Sequence, residues 1–210
     1  MLSAPAYSKE DSSPEALHSS ETDIPKNRYL IFFGIFAIGL ALDLITKQSV
    51  FDWLGLPGAS PNNTYWIWQG YVGIQTAVNQ GALFGLGSGY GIVFVILSIT
   101  AAMGIPYWLF FRGAAHDRLL TIALGSVMGG IFGNLYDRLG LWHSSDIADQ
   151  FRCGVRDWIL LRFHQYTWPN FNIADCMLVC GAGLLMLHLF LHQDPPADVD
   201  DSKASQANPP

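Results

Sequence analysis

Residues 171–191 read FNIADCMLVCGAGLLMLHLFL, an apolar run from Ile173 to Leu191 whose first turn carries an acid, Asp175. A helix of this length and composition crosses a hydrocarbon layer of about 30 Å, which takes roughly 20 residues. A carboxylate at the edge of such a layer is costly to desolvate, so its presence marks a place where the chain uses charge. A second acid, Asp157, lies 18 residues upstream in GVRDW. Two carboxylates held together at a membrane boundary are suited to activating water.

Three further runs match the first in character: Tyr29–Ile45, Tyr90–Phe111 and Leu119–Tyr136. Half of the 210 residues are hydrophobic and 13% are charged, against about 25% charged in a typical soluble domain. The expected fold is therefore an all-α membrane protein with four transmembrane helices. Lys26 and Arg28 give the first run the look of a secretory signal, but no small-residue cleavage site precedes Asp43 and Lys47, so it reads as a retained span. Four spans put both termini on one side. Lys26, Arg28, Arg112 and Arg118 flank the helix ends there, which assigns that side to the cytoplasm. Lys47, Arg138, Arg152, Arg156 and Arg162 fall on the other side and require local roles.

Residues 1–28 and 193–210, rich in Ser, Pro, Ala and acids, bury too little apolar surface to offset chain entropy and read as disordered cytoplasmic tails. They supply most of the net charge of −6. Residues 29–192 form one domain with no internal repeat. Between the first two spans, NNTYWIWQGYVGIQTAVNQG alternates aromatic and β-branched residues with Gly and Asn, which predicts a small non-cytoplasmic hairpin or curled sheet. Tyr65, Trp66, Trp68 and Tyr71 suit the headgroup level. The chain has no basic patch of the kind that binds nucleic acid, and its three cysteines make no disulfide framework.

The polar residues near the spans gather in clusters, each with a local explanation. Gly125, Gly129 and Gly133, four apart beside Gly130, read first as a seat for a neighbouring helix and second as a ligand groove. In GNLYDR, Asn134, Asp137 and Arg138 share a helical face, which serves either a site or a helix end with a snorkelling arginine. Asn172 and Asp175 have the spacing of a capping box. Asp43 and Lys47 have that of an i,i+4 ion pair, and Asn79 with Gly81 that of a turn. His188 and His192, four apart, suggest a metal pair, but no third ligand accompanies them in sequence and no metal is expected.

Topology brings the clusters together. Asp43 ends an outward span, Asn79 precedes an inward one, Asn134 and Asp137 end another outward span, and Asp175 begins the last inward one. Independent helix ends would not require this common side, so convergence favours an active site. A small proton-coupled carrier is the alternative. It would place acids near mid-span and show duplicated halves, and neither is visible here. A scaffold built of caps and ion pairs would leave the shared side unexplained.

Taken in order, LDLITK, NQGALF, GGIFGNLYDR, GVRDW and FNIAD, over about residues 29–192, resemble the prolipoprotein signal peptidases, or signal peptidase II family. The resemblance implies a bacterial inner-membrane aspartic endopeptidase that removes signal peptides from diacylglyceryl-modified prolipoproteins, cutting on the amino side of the lipid-bearing cysteine. It places a catalytic dyad on Asp157 and Asp175. Asn79, Gly81, Asn134, Arg138, Asn172 and Ala174 fall in the surrounding shell, which Asp43, Lys47 and Asp137 brace. The site would face the non-cytoplasmic side, with lipid-modified precursors and membrane lipids as partners. Two nearby carboxylates share one proton, so the ionised member takes a proton from water while the other polarises the scissile carbonyl. This chemistry needs no cofactor. Leu83 and Trp158 depart from the family's usual residues, and Leu139–Arg156 is about ten residues longer than its counterpart. That segment, with Trp142, Asp146, Asp149, Phe151 and Arg152, reads as a lid over the site or as a solvated insertion.

Overall fold

The computed structural model describes residues 23–59, 64–81, 90–143 and 147–192. The expectations for most of the two tails, for Leu83 and for Asp146 lie outside these residues. Among the described residues, four helices are long and apolar enough to cross a membrane. We label them α1 (Lys26–Leu54), α2 (Gly91–Pro106), α3 (Arg118–Arg138) and α4 (Ile173–Leu191). α2 runs on through a π turn, Tyr107–Phe111, beginning where Pro106 removes a backbone donor. α1 outruns its expected end at Ile45 because Asp43 and Lys47, which end the hydropathy signal, are buried in the bundle. It stops before Gly55, whose φ of 74° few other residues adopt.

α3 is the central helix. Within its apolar window 67% of residues are buried, against 17% in α1 and 11% in each of α2 and α4. Its glycines explain how neighbours come so close. A Cβ at Gly125 would stand 3.1 Å from the Phe32 carbonyl of α1, and one at Gly130 would strike the Ala174 carbonyl and Leu178 of α4. The helix-seat reading of this stripe therefore holds. Toward the start of α3, Leu120, Leu124 and Met128 pack with Phe32, Leu109 and Ala115 in an apolar core.

The β element has twice the expected extent. β1 (Thr64–Trp68) and β2 (Val72–Asn79) form the anticipated hairpin between α1 and α2. β3 (Val155–Phe163) and β4 (Tyr166–Phe171), between α3 and α4, form a second. All pair antiparallel in the order β1-β2-β3-β4. Pro169 sits in the edge strand β4, where a missing N–H is tolerated. The β2–β3 register sets Ala77 opposite Asp157 and Asn79 opposite Val155, so the sheet delivers Asp157 to the end of the bundle where α3 finishes and α4 begins.

Candidate active site

Asp175 takes its place from the start of α4. Asn172 caps that helix: its Oδ1 accepts the Asp175 N–H at 2.9 Å, and the Asn172 N–H donates to Asp175 Oδ2 at 3.2 Å. The capping box is real, and it also aims the carboxylate. The other Asp175 oxygen accepts from Asn134 Nδ2 at 2.8 Å, which ties α4 to the last turn of α3. Asn172 is fully buried, and its amide donates to Asp157 Oδ1 at 2.6 Å and to Asn134 Oδ1 at 3.1 Å. Two asparagines thus link the two acids. The same residues that cap α4 therefore also hold the two acids in one hydrogen-bonded group.

Beneath the asparagines lies a buried charge network. Lys47 Nζ stands 2.7 Å from Asp43 Oδ2 and 3.1 Å from Asp137 Oδ2, and donates to Asn134 Oδ1 at 3.1 Å. All three charged side chains are fully buried. Asp43 Oδ1 accepts the Ala174 N–H at 2.9 Å, holding the first turn of α4. Gly133 leaves the room: a Cβ there would strike the Asp43 carboxylate. Arg156, whose role the sequence reading left open, completes the network. Its backbone N–H and guanidinium grip both oxygens of Asp137 at 2.9–3.0 Å, and Nη1 donates to Gln48 Oε1 at 3.0 Å. Two cations and two carboxylates balance one another here. A buried pair is tolerable only when so satisfied.

Asp157, on β3 outside the spans, is 2% exposed. Burial, reinforced by the charge of Asp175, pushes its carboxyl up to about 8, against opposing effects of Lys47 and of hydrogen bonds from Asn172 and Asn79. Asn79 Oδ1 also accepts the Gly81 N–H at 2.9 Å, and the Gly81 carbonyl accepts from Arg138 Nη2 at 3.2 Å. The turn expected at Asn79–Gly81 therefore sets Asn79 against Asp157 and Gly81 against Arg138. Arg138 is held over the Phe94 ring, 5.2 Å from its centre.

These groups open on a cavity of about 290 Å³. Asp157, Asp175, Asn79, Asn134 and Arg138 form its polar wall; Phe94, Leu97, Ile131, Leu178 and Val179 form an apolar wall from three helices. Such a site can hold a polar bond against acids and an acyl chain against helices. The structure thus brings Asp43, Lys47, Asn79, Gly81, Asn134, Asp137, Arg138, Asp157, Asn172, Ala174 and Asp175 to one end of the bundle. His188 and His192 lie at the other end of α4. There Asp117, 71 residues from His188, stands beside them as the third candidate ligand that local spacing did not reveal.

The segment after α3 lies over the buried charges. Trp142 packs edge-on against Phe51 with ring centres 5.9 Å apart, and the Arg156 guanidinium lies 5.0 Å from its ring centre. Gln80 Nε2 donates to the Gln150 and Arg152 carbonyls at 2.7 and 3.2 Å, fastening the segment to the end of β2.

Residues 35–191 match the family model described as signal peptidase (SPase) II. A lipoprotein signal peptidase of Rhodopirellula baltica is 51% identical over 185 residues, covering 88% of this chain and 82% of that protein. One from Symbiobacterium thermophilum is 34% identical, covering 75% and 95%. A bacterial membrane enzyme solved by the in meso method at 2.3 Å resolution shares the fold. It has a TM-score of 0.61 at 21% identity, over 85% of this chain and 93% of that one. The chain belongs to the signal peptidase II family and is a multi-pass membrane peptidase.

Proposed function

We propose that this peptidase removes signal peptides from diacylglyceryl-modified prolipoproteins, cutting on the amino side of the lipid-bearing cysteine with Asp157 and Asp175 as its catalytic dyad. The observation that carries this reading is the shared cavity, in which both acids meet an apolar helical wall. The peptide lies against the acids while the acyl chains stay beside α2 and α4.

Asp157 holds the shared proton, consistent with a carboxyl pushed up to about 8. Asp175 accepts two N–H donors in the first turn of α4, where the helix dipole favours negative charge, and serves as the base. It takes a proton from water as the oxygen attacks the scissile carbonyl. Asp157 donates to the carbonyl oxygen, giving a neutral tetrahedral gem-diol. On collapse the proton gained by Asp175 passes to the leaving amine, and a hydroxyl proton returns to Asp157. Asn172 and Asn134 orient the pair, and Arg138 and Asn79 position the peptide.

The orientation we infer has both termini in the cytoplasm and the site toward the non-cytoplasmic face of the bacterial inner membrane. The five basic residues that seemed to oppose it have local partners, which supports this reading. Lys47 and Arg156 are buried in ion pairs, Arg138 binds Gly81, Arg152 pairs with Asp149 at 3.2 Å, and Arg162 lies 4.9 Å from the Trp66 ring centre.

The test is Asp157→Asn, Asp175→Asn and the double variant, purified and assayed on a lipid-modified precursor. Each single change should lower turnover by at least about 10³-fold in a folded protein, and the double should be hardly worse, because the two act as one unit. Substantial turnover by either single variant would refute the dyad.

A further inference from the structure

At the opposite end of the bundle three metal-ligating side chains meet. Asp117 caps the start of α3, its Oδ1 accepting the Leu120 N–H at 2.8 Å. Its other oxygen, Oδ2, faces the end of α4, 3.0 Å from His188 Nε2 and 3.5 Å from His192 Nε2. The two rings stack with centres 4.2 Å apart.

The tautomer of His192 is set by its own helix. Its Nδ1 lies 2.9 Å from the His188 carbonyl oxygen, an acceptor only, so Nδ1 carries the hydrogen and donates it. In a neutral ring Nε2 is then a bare lone pair. That nitrogen lies 3.5 Å from a carboxylate oxygen that already faces His188. Two acceptors do not attract at 3.5 Å unless a cation lies between them. A carbonyl-anchored Nδ1 with a free Nε2 is also the arrangement that orients a metal-bound imidazole.

We propose that Asp117, His188 and His192 form a divalent transition-metal site, best suited to Zn2+, which ties the start of α3 to the end of α4. Their ligand atoms lie within 4.8 Å of one another, so small side-chain rotations bring them to the ~2.0–2.2 Å distances of zinc ligands. Imidazole nitrogen selects zinc, copper or nickel over magnesium and calcium. His192 is 57% exposed, which leaves a path for the ion and a fourth position for water. Asp175 lies in the first turn of α4 and His188 13 residues on, about 20 Å along the axis. The ion is therefore a clasp for the helices and takes no part in peptide cleavage.

Tag-free, full-length protein in micelles, stripped of metal, tests this by titration with Zn2+ against a fluorescent chelator and with Co2+ by absorption. The wild type should take up a single equivalent and gain thermal stability from Zn2+. His188→Ala and His192→Ala should each weaken binding by more than about tenfold and abolish the gain. Asp117→Asn keeps an N-cap and should weaken binding without unfolding α3. His192 is exposed, so its variant should fold, and cleavage of precursor should survive both this change and metal removal. Absence of stoichiometric binding, leaving an imidazolium as the cation between the groups, would overturn the proposal. So would binding that persists when both histidines are replaced.

Discussion

The two halves of α3 are packed by opposite means. Its first half holds Leu120, Leu124 and Met128 against Phe32, Leu109 and Ala115, an apolar core that any well-shaped set of side chains would satisfy. Its second half holds Asn134 and Asp137 among Lys47, Asp43 and Arg156, where each group has a named partner at 2.7–3.1 Å. Ionic packing is no stronger than apolar packing; its gain is geometry, because charges fix angles that methyl groups leave free. The half that holds Asp175 through Asn134 is the one built from charges.

Breaking each half should separate stability from activity. Lys47→Met takes from buried Asp43 the cation it pairs with and leaves Asp137 with Arg156, and should cost about 3–5 kcal/mol with near-complete loss of turnover. Phe32→Ala opens a cavity in the fully buried apolar half and should cost a comparable ~3 kcal/mol. Turnover per folded molecule should be unchanged. Denaturation in micelles with single-turnover kinetics reads both quantities. Adding Asp43→Asn to Lys47→Met restores charge balance and should recover part of the stability but not the activity. If Phe32→Ala lowers turnover as much as Lys47→Met does, the division of labour along α3 is wrong.

The polar half should also be the pH-sensitive one. Asp157, raised by burial and by Asp175 from an ordinary 3.8 to about 8, binds its proton in the folded state across that interval while the unfolded chain has lost it. Stability therefore falls as pH rises from about 4 to about 8, because the folded state binds more protons there. Asp157→Asn should flatten this slope and be more stable than the wild type above pH 8. Turnover of the wild type should drop about tenfold per unit above pH 8 as the shared proton leaves. A stability profile identical in Asp157→Asn and wild type would show that Asp157 does not carry that proton.

How legible each half was follows from how far apart its partners lie in the chain. The spans were readable because hydropathy is local, and the first hairpin because its Gly and aromatic residues sit in the strands and turn themselves. The second hairpin was not. Its turn at His164 and Gln165 has no Gly, and His164 itself adopts φ 54°. The buried Arg156 and Asp157 interrupt the apolar alternation that marks a strand. That the polar residues near span ends would gather at one end of the bundle was readable from their common side. Arg156 was not, because its partner Asp137 lies 19 residues away across the 139–154 segment. The carboxylate beside His188 is 71 residues distant, beyond any local spacing rule.

The smallest expected effect concerns what covers the polar half. Trp142 lies on Arg156, and Gln80 holds the Gln150 and Arg152 carbonyls, so the described part of 139–156 is fastened at both ends rather than free. A cover pinned this way acts on what approaches the cavity more than on the chemistry within it. Replacing residues 144–151 by a short Gly/Ser bridge, with Trp142 and GVRDW retained, should leave folding and the pH profile intact and shift precursor preference a few-fold. Trp142→Ala should instead loosen Arg156 and cost about 0.5–2 kcal/mol of stability, the range of a desolvated cation–aromatic contact. Competition between precursors differing only after the lipid-bearing cysteine reads the first effect. If kinetics are unchanged across all of them while Trp142→Ala still destabilises, Trp142 is a plug on the charge network and the remainder of the segment is a solvent-facing insertion.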